Sequence, residues 1–296
     1  MLTALPPPQL LEISGADAIV FAQAQFSSDV MLEAGHWQWS AWLNAQGRVR
    51  AFFHLLRIDE NTLWLVQRGG DARRLRDALV RYVLRAKVSM RAVDGMKAFA
   101  TPDPSDLPGT PPASETGRIM LGDSGSICLS LPGLPSRWLL LAPATHGLAA
   151  ENSDLAFNTA MLADIDAGLL SLDPAVEEKL LPQWLGLDAL GAVSVRKGCY
   201  PGQEIVARLH FKGGVKRALY RIDFRAAALP DAGAAILSSG AGEAESGLIV
   251  NAAWRTPGLA TALAVLQDDA PAAGGDLRVG ATRIESTARA THSAAT

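Results

Sequence analysis

The stretch with the most chemistry per residue runs from Arg196 to Arg217: Arg-Lys-Gly-Cys-Tyr-Pro-Gly-Gln-Glu-Ile-Val-Ala-Arg-Leu-His-Phe-Lys-Gly-Gly-Val-Lys-Arg. Gly198 and Gly202 bracket Cys199-Tyr200-Pro201, which predicts a tight loop whose backbone can approach a ligand. Gln203-Glu204-Ile205-Val206-Ala207-Arg208 can begin a helix with its first free amides facing that loop. A helix N-terminus favours negative charge, and Lys197 two residues away acts in the same direction, so Cys199 is a candidate reactive thiolate. The other reading of a free cysteine is a buried, inert one. Downstream, Arg208, His210, Lys212, Lys216 and Arg217 form a basic cluster, which is either a solvated turn or a site for a polyanion such as a polyglutamate tail or an RNA backbone. Only Phe211 and Tyr220 lie nearby, so the stacking platform of a single-strand binder is missing from this stretch and no stable nucleic-acid partner is expected.

The elements that must carry this loop can be read from periodicity. Residues 14–26 read as a short helix with Asp17 as N-cap. Trp37–Leu43, Val49–Ile58 and Thr62–Gln67 read as a meander of strands, with Trp37, Trp39 and Trp42 on the two faces of one sheet. Asp71–Ala86 has Leu75, Leu79 and Val83 at helical spacing. Strand-like segments follow over 88–100, then a linker rich in proline over 102–113, a strand Trp138–Leu141 and a helix Asp154–Ala163. From Ala218 onward Leu219–Phe224, Ser246–Asn251, Ala260–Leu266 and Asp276–Ile284 are short strands separated by small residues, the pattern of a small β-barrel or sandwich. The expected fold class is therefore α+β. Its organisation is an N-terminal α+β subdomain over 1–101, a second over 114–215 and a β-barrel over 216–296. The order does not suit a doubly wound sheet, and neither a dinucleotide fingerprint nor a phosphate-binding P-loop is present.

Bulk properties narrow the function classes. The 296 residues are 49% hydrophobic and 19% charged, with a net charge of −3, so the chain can bury an ordinary core and has no global field for nucleic acid or an anionic membrane. There is no run of apolar residues long enough to span a bilayer and no basic-then-apolar leader, so a cytoplasmic protein is expected. The two cysteines, Cys128 and Cys199, give no metal spacing and no disulfide framework, and two thiols cannot complete a four-cysteine cluster within one chain. Cys128 sits in an apolar strand-like context and reads as core; the histidines are scattered without metal-ligand spacing, so no metal site is expected.

Lys197-Gly198-Cys199-Tyr200-Pro201-Gly202-Gln203-Glu204 resembles the K-G-C-Y-[TI]-G-Q-E signature of the YgfZ family, relatives of the glycine-cleavage T-protein, with Pro201 in place of Thr or Ile. The resemblance extends to Leu181-Pro182-Gln183, Leu187–Gly191, Val206-Ala207-Arg208 and Lys216–Leu219. Asp164-Ile165-Asp166-Ala167-Gly168 is similar to the family's N-I-x-A-G element, and Phe21–Gln25 with Asp29-Val30 to its F-x-Q-G-Q-x-x-x-D-V region. Matches span about residues 13–220.

The resemblance implies a T-protein-like fold, with a folate pocket inside a ring of three subdomains. It also implies a tetrahydrofolate-dependent accessory role in building or repairing iron–sulfur clusters, including those of radical enzymes that thiolate tRNA. On that reading the cofactor is tetrahydrofolate or a derivative, and the partners are iron–sulfur client enzymes or assembly factors, engaged transiently, with no membrane. Cys199 would be the functional thiol, with Lys197 beside it. Gly198, Tyr200, Gly202, Gln203, Glu204 and Arg208, together with Gln25, Asp29 and Asp164, would contact the folate. Aromatic residues that line the family's pocket have no obvious match: the stretch before Gly15 is proline-rich, and Met161 precedes Asp164. The other folate reading is an aminomethyltransferase or demethylase. Such relatives carry a Gly-Gly-x-x-Asp-type element whose aspartate assists transfer, and here Arg50 and Ala51 occupy the matching region.

Overall fold

The computed structural model describes residues 1–107, 117–122, 125–133, 136–239, 243–270 and 276–292. The second half of the expected 102–113 linker lies outside these residues; its first half contains a 3-10 turn, Pro104–Asp106, capped by the Asp103 carboxylate accepting from Ser105 N.

The N-terminal region contributes β1 (Thr3–Leu5), β2 (Leu10–Ser14), α1 (Ala18–Gln25), β3 (His36–Leu43), β4 (Val49–Asp59), β5 (Thr62–Gln67), α2 (Ala72–Val80), β6 (Ser89–Ala92) and β7 (Met96–Thr101). The first sheet runs β3-β4-β5-β2-β6, all antiparallel. Alternation along β4 turns Phe52, His54 and Leu56 to one face and Ala51, Phe53 and Leu55 to the other, which α1 and α2 cover. Trp37 and Trp39 share the face of His54, whereas Trp42 lies on the helix side. Both helices are shorter than their periodicity predicts. Asp17 stands at the N-cap of α1, but its carboxylate accepts from Lys87 N at 2.7 Å rather than from the helix. Asp71 does cap α2, accepting from Arg74 N, and α2 stops at Val80, after which the chain turns and Tyr82 stands edge-on against Trp42.

The second sheet, β1-β7-β10-β9-β8, adds β8 (Met120–Leu121), β9 (Ile127–Leu131) and β10 (Arg137–Pro143) to two strands drawn from within residues 1–101. Cys128 is buried in it, and burial pushes its thiol up to about 11. α3 (Asp154–Asp166) follows, with Ser153 capping Ala156 N.

From 167 to 202 the chain contains one 3-10 turn, Pro174–Val176, and otherwise irregular backbone. Irregular segments of that length are uncommon in a compact domain. This one is held along the edges of its neighbours: Leu172 N donates to Arg68 O, Val49 N to Leu180 O, and Ser194 N to Ser27 O. A Cβ on Gly69 would sit 2.3 Å from Leu172 O, so the close approach needs glycine there. The segment also buries Leu170, Leu180, Leu185 and Leu187 in a core shared with both sheets and the barrel.

After α4 (Gln203–Lys212) come β11 (Arg217–Arg225), β12 (Ala235–Ser239), β13 (Glu243–Thr256), β14 (Leu259–Gln267), β15 (Asp276–Val279) and β16 (Thr282–Arg289), closed in the order β11-β14-β13-β12-β15-β16. The stretch read as one strand over Asp276–Ile284 is a hairpin that pairs Val279 with Thr282. The unanticipated β12 buries only Ile236 of its five residues, too little to mark it in the sequence. Two asparagines dock the barrel. Asn158 on α3 brackets the Trp254 backbone through both amide atoms (2.7 and 2.8 Å), and Asn251 does the same to Ser171 (2.8 Å each).

Replacing Asn158 or Asn251 with Leu leaves two backbone groups without partners. Each change should lower stability by about 1–3 kcal/mol in urea unfolding. An unchanged midpoint for both would mean that the asparagines do not hold the barrel.

Candidate functional site

Two features could carry chemistry, and they lie apart. The first is a cavity of about 540 Å³ where the first sheet, the second sheet, α3 and the barrel meet, a size suited to a small organic ligand. Its charged centre is Asp164 in the last turn of α3, 8% exposed. Arg68, just past β5, donates Nη2 to Asp164 Oδ2 at 2.6 Å, and Arg137, at the start of β10, donates Nη1 to Oδ1 at 2.7 Å. The guanidiniums are themselves anchored, Arg68 Nε on Leu170 O and Arg137 Nε and Nη2 on Pro132 O. Charge-assisted bonds of this kind fix geometry as well as energy, and each carboxylate oxygen retains a lone pair for a further donor.

Val66, Leu139, Leu141 and Met161 give the cavity apolar walls. His54 also lines it, fully buried, its ring 4.0 Å from that of Trp39. Burial first, and the Arg68 charge second, hold the imidazole well below its ordinary value, so it is neutral at pH 7. With Nδ1 donating to Val66 O at 3.4 Å, Nε2 is an acceptor, and it has no partner.

The second feature is the 197–204 loop. Lys197 Nζ donates to Phe26 O at 2.6 Å and Ser28 O at 2.7 Å, and lies 5.2 Å from the centroid of the Tyr200 ring. Burial pushes this ammonium down to about 8, while Asp29 pulls the other way. Ser27, between the two carbonyls, donates Oγ to Ala192 O at 2.7 Å. Tyr200 is buried, its hydroxyl donating to Ser194 O, and Gln203 Nε2 donates to Lys197 O. Gly202 caps α4 in the left-handed region, φ 77°; a Cβ there would stand 2.5 Å from Asn44 O and 2.6 Å from Gly47 Cα. The loop is thus pressed on the β3–β4 turn. Gly198 by contrast has nothing within 4 Å of its Cβ position, and Cys199 is an exposed free thiol.

Of the residues expected to bind a cofactor, Asp164 lines the cavity. None of Lys197, Gly198, Cys199, Tyr200, Gly202, Gln203 and Glu204 does. Asp29 is exposed and accepts from Gln23 Nε2 and Met31 N, Gln25 keeps a buried Oε1 without a partner, and Arg208 points outward from α4. These three belong to the signature side of the molecule or to its surface. The sequence reading missed Arg68, Arg137 and His54, whose roles depend on sheet partners far away in the chain. The Arg68-Gly69-Gly70 step after a strand was the one local signal available. Pro6, Pro7, Pro8 and Met161 do line the cavity. Arg50 makes an ion pair with Glu178 at 2.9 Å and stacks over Trp42 at 4.2 Å. Among the described residues no three His, Cys, Asp or Glu side chains gather as a metal site, and no helix is long and apolar enough to cross a membrane.

Gly202→Ala should destabilise the fold by more than about 2 kcal/mol, while Gly198→Ala should stay within about 0.5 kcal/mol, both read from denaturant midpoints. Equal effects would contradict the packing against Gly47. The unfolded chain keeps the Lys197 proton up to the ordinary lysine range near 10.5, whereas the folded chain releases it near 8. Stability contributed by this residue therefore rises with pH between those values, by at most about 1.4 kcal/mol per pH unit. Subtracting a Lys197→Met stability profile from that of wild type should reveal this rise; a difference that is flat or falling from pH 8 to 10 would refute it.

No family model matches the chain. Among solved structures, the crystal structure of glycine cleavage system aminomethyltransferase T from Bartonella henselae is similar over 96% of this chain and 83% of that one, with a TM-score of 0.72 at 15% identity. The two antiparallel sheets, the closed barrel and the shared core between them are thus those of a T-protein-like fold.

Proposed function

We propose that this protein binds tetrahydrofolate, or a derivative, in the cavity around Asp164 and acts as a cytoplasmic accessory factor in iron–sulfur cluster assembly or repair, including for tRNA-thiolating radical enzymes. The observation that carries the folate half is the buried Asp164, held between Arg68 and Arg137 in an apolar-walled cavity of a T-protein-like fold. A reduced pterin presents amino and ring N–H donors on a flat body. The remaining lone pairs of Asp164 and the unpartnered His54 Nε2 suit those donors, and Leu139, Leu141 and Met161 suit the ring. When bound, the folate would supply a carrier for one-carbon units.

The accessory half rests on the resemblance of residues 197–204 to the YgfZ signature and on the presentation of Cys199. The thiol is exposed on a loop whose backbone is locked from behind by Lys197, Tyr200 and Gly202. A single exposed thiol cannot hold a cluster within one chain, so it would act with sulfur ligands of a partner. A reducing compartment keeps such a thiol free. The T-protein neighbour favours a second reading, folate-dependent aminomethyl transfer. Against it, Arg50 and Ala51 stand where a carboxylate is needed, and Arg50 is already committed to Glu178 and Trp42.

Calorimetric titration with tetrahydrofolate should show saturable binding by wild type and by Cys199→Ala, and at least about tenfold weaker binding by Ala160→Trp, which fills the cavity, and by Asp164→Asn. Binding untouched by both cavity variants, or none by wild type at millimolar folate, would overturn the site. In cells, Cys199→Ala should lower the activity of iron–sulfur clients without lowering the level of the protein itself. Full client activity would remove the thiol from the mechanism, and a folate-dependent transfer activity abolished by Arg50→Ala would restore the transferase.

A further inference from the structure

We propose that the face built by α4, the start of β11 and the β3–β4 turn binds single-stranded nucleic acid through its phosphate backbone. Most arginines among the described residues are paired with carboxylates, including Arg68, Arg137, Arg221 and Arg255. Arg48, Arg208 and Arg217, with Lys212 and Lys216, take part in no salt bridge among those residues, and they come together on one side. The β3–β4 turn packs on α4, where a Cβ on Gly47 would meet Ile205 at 3.0 Å. Gln183 Nε2 donates to Val206 O, which brings the Trp184 segment to the same helix. Arg48 and Arg217 then both lie over the Trp184 ring, at 5.8 and 5.5 Å. Arg208, His210, Lys212 and Lys216 are exposed, and so is Phe211, at 73%, with its ring edge-on to His210 at 4.9 Å.

A helix C-terminus accounts for part of this, since His210 and Lys212 in the last turn of α4 offset its free carbonyls. It accounts for none of Arg48, Arg208, Lys216 and Arg217. Glu204 is the only acidic residue of α4, and it makes no salt bridge with Arg208 one turn later. Unpaired cations held close together repel one another, and a polyanion relieves that repulsion while releasing its counter-ions. What selects nucleic acid over an acidic protein surface is the set of planar groups among the charges: an exposed Phe211 and guanidinium planes on an indole are platforms on which unstacked bases lie. Trp184 is distant in sequence from the basic stretch, so the stacking surface missing from residues 208–217 is supplied by the fold. None of these residues lines the Asp164 cavity.

The test is fluorescence anisotropy of a labelled oligouridylate 12-mer with the full-length protein across a salt series. Wild type should bind with a log K that falls linearly with log salt, by about 0.7 per phosphate contacted. The triple variant Arg208→Gln/Lys212→Gln/Lys216→Gln should bind at least tenfold more weakly, with a salt slope shallower by about 2. Phe211→Ala should weaken binding without changing the slope. Melting temperatures of all variants control for folding. No binding at 50 mM salt, or equal binding by the triple variant, overturns the proposal. So does a polyglutamate peptide of matched charge that binds as tightly as the oligonucleotide, which would assign the face to an acidic protein.

Discussion

The paired arginines on Asp164 are the interaction on which the architecture turns. The carboxylate belongs to α3, one guanidinium follows the last strand of the first sheet's meander, and the other opens a strand of the second sheet. α3 also grips the barrel through Asn158. One buried anion therefore sets the distance between two sheets and the helix that docks the third unit. Removing one member of such a group leaves uncompensated buried charge and costs about 3–5 kcal/mol in comparable cases. The cavity beside it exists because three curved units meet at a charged point that cannot collapse into apolar packing.

The signature loop obeys a different constraint. Lys197 spends its ammonium on main-chain carbonyls at the end of α1, and Gly202 is pressed against the β3–β4 turn. Both tie the loop to the first sheet, although the chain reaches it only after the second sheet and at the far end of the irregular 167–202 segment. The chemistry of the octet is thereby split. Its lysine, tyrosine and second glycine act inward as a clasp, and Gly198 and Cys199 face outward with open space around them. The cavity and the exposed thiol are then separate features of one frame.

Local composition determined much of the fold by itself. The meander over residues 36–67, the core position of Cys128 and three strands of the barrel follow from apolar, β-branched and aromatic runs set between turn signals, because such runs pack into a core, in β4 on both faces. The helix at Gln203 was equally legible, from the glycine and the polar residues at its start. Helix ends were not: Asp17 has two possible uses, and only the tertiary contact with Lys87 N decides between them. The strand Ala235–Ser239 was silent because a single buried residue leaves no periodicity.

For the site, residue types in the sequence drew attention to the 197–204 octet, and the resemblance added Asp164 as one of several candidates beside Asp29 and Gln25. Tertiary structure decided what surrounds them. Arg68 and Arg137 read as ordinary charged residues until the sheets bring them from opposite sides onto one carboxylate. His54 reads as a scattered histidine until burial beside Arg68 makes it a neutral acceptor. Trp184 joins the basic cluster only because Gln183 is bonded to α4. Each of these roles is a pairing between distant segments. A sequence read locally specifies which groups a segment offers, and only the folded chain specifies which charge, carbonyl or ring each group meets.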